Sequence, residues 1–223
     1  MFIARRRFIG GFVGMAAGGA LSVSSLWTRP ALAVPQSLHF KAYRDKSPVG
    51  THSVDVRPSG DQMNVTIKID LNVSMAFVTL FEFTHDCEEV WQSGRLVSLR
   101  SKTNDNGDKF QVTAKATPEG IRIEGPGGPA IAPADAYTSN SVWNTAVLDQ
   151  KTVVDAQHGG IIGLSVRPQG EQQVAVAGQQ VPAEKYQVVT PFVAGNVWYD
   201  EAGRWVKALF EKDGEQMEYR LVA

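Results

Sequence analysis

The densest set of ionisable side chains in this 223-residue chain is Glu82, His85, Asp86, Glu88 and Glu89, gathered around Cys87. Carboxylates beside an imidazole are the raw material of proton transfer, because each can hold or release a proton where a substrate meets it. On an extended strand successive side chains alternate. Glu82, Asp86 and Glu88 then face one way, and His85, Cys87 and Glu89 face the other together with Trp91. His85 and Glu89 are the candidate acid/base pair of this stretch; the competing reading is a charged rim where a long strand leaves the core. Cys87 is the single cysteine, so an internal disulfide is excluded and its ordinary role is that of a small buried apolar residue.

The other histidines are His39, His52 and His158. His39 and His52 flank the first turn and fall on neighbouring strands, which with His85 invites a metal reading. Their spacing matches no compact zinc motif, and no metal ligand is assigned. His158 beside Gly159-Gly160 is a general-base candidate, and equally a solvated turn residue. Gly163-Leu164-Ser165-Val166-Arg167 lacks the closing glycine of a nucleophile elbow. No phosphate-cradling loop or dinucleotide fingerprint is found, and no cofactor is expected.

Aromatic residues give the stronger hint. Phe77, Phe81, Phe83, Trp91, Trp143, Trp198 and Trp205 are the candidate ligand-contacting residues, lining a pocket in which tryptophan N–H groups orient a polar head. The alternative is that they are plain core.

The elements that must position these residues show mostly period-two patterning. Met63, Val65, Ile67 and Ile69 alternate with Asn64, Thr66, Lys68 and Asp70, the mark of a half-buried strand. Leu38 to Tyr43 and Thr51 to Arg57 flank a turn at residues 45–50. Met75 to Trp91 is apolar on both parities, which predicts burial on both faces or a face toward a cavity. Strand signals follow at Leu96 to Lys102, Phe110 to Ala116 and Ile121 to Glu124. They resume at Gly163 to Arg167, Gln172 to Ala177, Glu184 to Thr190, Asn196 to Asp200, Arg204 to Glu211 and Glu215 to Val222. Asp213-Gly214 marks a hairpin between the last two. Pro133 to Leu148 carries the best helical stretch, with Val142, Trp143 and Ala146 on one side. The expected fold is mainly β: a curved antiparallel sheet, half-barrel or barrel, with one short helical insertion. The absence of strand-helix-strand alternation argues against a parallel α/β fold.

Residues 1–33 read as an export signal. Arg5-Arg6-Arg7-Phe8-Ile9 leads into a Gly/Ala-rich apolar run and then Ala31-Leu32-Ala33, a small-residue cleavage site. The paired arginines resemble the twin-arginine class, which implies recognition by the export machinery and a periplasmic protein. Cutting after Ala33 would leave one domain, residues 34–223, with no stable membrane span. It would also remove four arginines and no acid, moving the formal charge from −1 to about −5. A mildly acidic chain argues against nucleic-acid binding.

Thr103-Asn104-Asp105-Asn106-Gly107, Ser141-Val142-Trp143-Asn144, Asp155-Ala156-Gln157-His158-Gly159 and Val197-Trp198-Tyr199-Asp200 through Gly203-Arg204-Trp205-Val206-Lys207 carry a resemblance. They resemble an uncharacterised family of exported proteobacterial proteins over about residues 36 to 222. More distantly, the closing hairpin is similar to those of the periplasmic lipoprotein-carrier superfamily, which implies a curved half-barrel over an apolar cavity with a helical lid. The expected function is a non-enzymatic binding or carrier protein for a lipid-like or hydrophobic ligand, gated by Gly125 to Leu148. An envelope accessory protein with an apolar outer patch and an enzyme using His85 and Glu89 are the alternatives.

Overall fold

The computed structural model describes residues 37–75, 78–212 and 215–222. The expected export signal, Phe77 and the expected Asp213-Gly214 turn lie outside the described residues. Eight strands open the chain: β1 Leu38–Arg44, β2 Ser47–Ser59, β3 Gln62–Met75, β4 Val78–Gln92, β5 Arg95–Asp105, β6 Asp108–Thr117, β7 Gly120–Glu124 and β8 Ala130–Ala132. Three short strands follow, β9 Tyr137–Thr138, β10 Thr152–Val154 and β11 Ile161–Gly163. Five close it: β12 Ser165–Val176, β13 Gln179–Val189, β14 Ala194–Asp200, β15 Trp205–Lys212 and β16 Glu215–Leu221.

Thirteen strands form one antiparallel sheet in the order β12-β13-β14-β15-β16-β1-β2-β3-β4-β5-β6-β7-β8. Alternation builds it: in β6, Val112 and Ala114 are buried while Gln111 and Thr113 are exposed. Tight turns keep sequence neighbours together. Asp45-Lys46, Ser93-Gly94, Asn106-Gly107 and Ala177-Gly178 all have positive φ, the two-residue geometry whose twist matches that of the flanking strands. The one non-sequential pairing joins β16 to β1, with Leu221 opposite Phe40. Across that seam the Arg220 guanidinium sits 4.3 Å above the Tyr43 ring, and next to it, between β15 and β16, Lys207 Nζ lies 2.9 Å from Glu218. The sheet stays open between its edges β8 and β12.

The chain between those edges lies on the inner face. Thr138 bonds to Glu89 of β4, Ala156 O accepts from Ser101 of β5, and Val142 O accepts from Tyr199 of β14. One short insertion can reach strands so far apart in the order only if the sheet wraps around it. Bulges at Ala42/Tyr43, Val73/Ser74, Val90/Trp91, Pro168/Gly170 and Trp198/Tyr199 supply local bends.

The helix expected over Pro133 to Leu148 is instead a β9 strand followed by two 3-10 turns, Ser141–Trp143 and Thr145–Asp149. Polar side chains in this stretch capture backbone donors that a helix would need. Ser141 Oγ accepts from Thr138 N–H, Thr138 Oγ1 from Asn140 N–H, and Asn144 Oδ1 from Ala146 N–H. The two strand signals around residue 170 merge into β12, because a bulge absorbs the Pro168-Gln169-Gly170 interruption. No helix among the described residues is long and apolar enough to cross a membrane.

A candidate ligand site at the mouth of the curved sheet

β4 presents Phe81, Phe83, His85, Cys87, Glu89 and Trp91 to the inner face and Glu82, Asp86 and Glu88 to solvent. The structure thus brings His85, Cys87, Glu89 and Trp91 onto one side, and it also occupies their polar atoms. Glu89 Oε1 accepts from Thr138 Oγ1 at 2.7 Å, and Oε2 accepts from Trp91 Nε1 at 2.8 Å. Asn140 Nδ2 donates to His85 Nε2 at 3.0 Å, which leaves His85 Nδ1–H to donate to Thr103 Oγ1 at 2.8 Å. Burial holds the His85 imidazole down to about 4 and pushes the Glu89 carboxyl up to about 7. Burial likewise pushes the Cys87 thiol up, away from the reactive thiolate. His85 and Glu89 therefore fasten the insertion to the sheet.

His52 lies on the same inner row as His85, with Ile69 of β3 between them. Its ring packs 5.3 Å from Trp205 and 5.5 Å from Tyr219, and its Nε2 is buried without a partner. Burial, helped by His85, holds it down to about 3. His39 points outward, 3.9 Å from Asp55. The three histidines named for a metal do not converge.

The aromatic candidates divide into three sets. Trp91, Trp143 and Trp205 form a packed floor, with Trp91 edge-on to Trp143 at 5.9 Å, tilted on Tyr137 at 5.2 Å, and Trp205 on Phe40 at 4.3 Å. Trp198 is not among them. Cross-strand pairing aligns it with Lys185 and Lys207, whose ammonium groups lie 5.3 and 5.1 Å from its ring on the convex face. Its indole N–H donates to Gln172 at 3.1 Å. Phe81 and Phe83 remain half-buried and stacked at 6.5 Å, with Phe83 in turn over His85 at 6.5 Å.

Phe81 and Phe83 stand at the end of the sheet that carries the turns after β1, β5 and β13. Along the row at that end, Phe210, Met217, Val188 and Val166 are also half-buried. Phe210 sits across from Gly195, where a Cβ would come 2.6 Å from its ring. This set forms an apolar mouth above the tryptophan floor. The sequence reading missed Phe210, Met217, Val188 and Val166 because the end and face of the sheet that a side chain reaches are set by cross-strand register; the glycine opposite Phe210 was the available signal.

His158 sits at the seam of this mouth. Its Nδ1 lies 3.2 Å from Asp155 Oδ2, and its ring is 4.7 Å from Phe110 of β6 and 5.7 Å from Phe192 in the β13–β14 turn. Phe192 is 57% exposed. The turn holding His158 packs backbone on backbone. With φ +81 at Gly159, a Cβ there would lie 3.2 Å from Gly125 Cα, and one on Gly127 would lie 2.8 Å from Gly159 O. Glycine is required for that approach.

Residues 40–222 match the sequence profile of a domain of unknown function, DUF6134, and the chain belongs to that family. No curated protein matches it. Among solved structures it is similar to a beta-barrel-like protein of domain of unknown function DUF1849 from Brucella abortus. The identity is 13% and the TM-score 0.61, over 85% of this chain and 96% of that chain. Likeness at that identity shows the barrel-like fold alone.

Proposed function

We propose that this DUF6134-family chain is a periplasmic binding or carrier protein that takes the apolar part of a lipid-like ligand at the mouth of its curved sheet. The observation that supports this is the half-buried apolar lining at one end of the inner face. Phe81, Phe83, Phe210, Met217 and Val188 stay partly open to solvent although a well-packed floor lies beneath them. A monomeric fold gains by covering such surface, and a concave one covers it with a ligand. The twin-arginine leader and the distant likeness to lipoprotein carriers favour the same reading.

In this reading the insertion is the floor of the site and not a lid. Trp143, Val147 and Leu148 are buried, and Thr138, Asn140 and Val142 are bonded to the wall. An accessory-protein reading draws on a different observation, the exposure of Ile131, Ile161, Val189 and Phe192. The two separate in a titration with an environment-sensitive apolar dye. A carrier gives saturable one-to-one enhancement that Phe83→Ser weakens about tenfold or more. Enhancement unaffected by Phe83→Ser and abolished by Ile131→Ser would move the apolar contact to the outer surface.

A further inference from the structure

We propose that Asp155 and His158 form the head-group site of this mouth, where His158 Nε2 accepts a hydrogen bond from a hydroxyl on an otherwise apolar ligand. The inference rests on the binding reading above and names the chemistry of the ligand's polar end. Asp155 is 4% exposed, and its carboxylate has acceptors only. Oδ1 takes the N–H of Gln157 at 2.8 Å, and Oδ2 faces His158 Nδ1 at 3.2 Å. Nδ1 must therefore carry a proton, and in the neutral imidazole Nε2 then keeps its lone pair. Nε2 has no hydrogen-bond partner among the described residues, and the side chain is 34% exposed.

The turn is built to hold that lone pair in place. Gly127 N–H donates to His158 O at 2.7 Å, Gly159 N–H to Asp155 O at 2.9 Å, and Asp155 N–H to Gly160 O at 3.1 Å. Ala156 is held on both sides, its N–H by Ser139 Oγ and its carbonyl by Ser101. Phe110 and Phe192 flank the ring from opposite arms of the sheet. A solvated turn histidine needs none of this. A fixed acceptor between two aromatic rings, at the end of the sheet that carries half-buried Phe81 and Phe83, fits an apolar chain that ends in O–H.

The test is displacement of 1-anilinonaphthalene-8-sulfonate from the purified leaderless protein by 1-dodecanol and, separately, by its methyl ether, which lacks the donor. The alcohol is expected to bind about tenfold more tightly than the ether, the effect of one hydrogen bond to a fixed acceptor. Asp155→Asn places an amide donor against Nδ1, drives the proton to Nε2 and turns that nitrogen into a donor, from which the alcohol and the ether oxygen both accept, so the preference for the alcohol is lost. His158→Phe keeps the ring contacts and makes the two ligands equal, and it serves if Asp155→Asn does not fold. Equal binding of alcohol and ether to the unaltered protein overturns the head-group assignment and leaves the apolar-ligand reading standing, as does a preference that His158→Phe leaves intact. Displacement by neither compound overturns both.

Discussion

Glu89 is fully enclosed, yet both its oxygens meet donors, Thr138 and Trp91. Removing the carboxyl strands those two groups, so Glu89→Ala should cost about 2–4 kcal/mol in urea unfolding. Its titration has a definite sign. A carboxyl raised from 4.5 to about 7 gives the folded state an extra proton, so its contribution to stability declines as pH rises through that window. His85, lowered from 6.5 to about 4, acts oppositely: its contribution is full above pH 6.5 and is lost as pH falls toward 4. His52, held near 3, adds to that acid-side loss. Unfolding between pH 4.5 and 6.5 should therefore take up about one net proton, and about two in Glu89→Gln, as read from the pH slope of the unfolding free energy. That His85 and Glu89 face inward was legible from strand alternation alone. Their occupation was not, because Thr138 lies 49 residues from Glu89 and Asn140 lies 55 from His85, and no local pattern reports such contacts.

Between β8 and β12 the insertion carries the floor, and its stability hangs on a few large side chains. Trp143→Ala should lower stability by about 3–5 kcal/mol, since it empties the space beside Trp91 that no neighbour can refill. Trp198→Ala should cost a similar amount, because that ring, although on the convex face beneath two lysine chains, is just as enclosed. Denaturant midpoints of the two variants compare them directly. The strands themselves were readable: Val65 and Ile67 alternate with Asn64 and Thr66, and short polar turns separate the runs. The short helical insertion was legible from the spacing of Val142, Trp143 and Ala146, but it is two 3-10 turns in place of one continuous helix because Ser141 and Asn144 spend their side chains on backbone donors. The side on which Trp198 falls depends on cross-strand register with Lys185 and Lys207, and register is a property of the assembled sheet.

For the whole molecule, pairing of β16 with β1 places the start of β1 beside the end of β16, at the end of the sheet opposite the mouth. Cleavage after Ala33 predicts a mature protein that begins at Val34, checked by the intact mass of material recovered from a periplasmic fraction. The central claim is that the mouth holds an apolar ligand while the tryptophan floor holds the fold. Its most direct test is native mass spectrometry of the mature protein from the periplasm of a host with a twin-arginine pathway, followed by organic extraction of the same sample. The account predicts a stoichiometric apolar adduct that extraction releases and that Phe83→Ser diminishes. A bare mass from every preparation, with the protein folded, would contradict it.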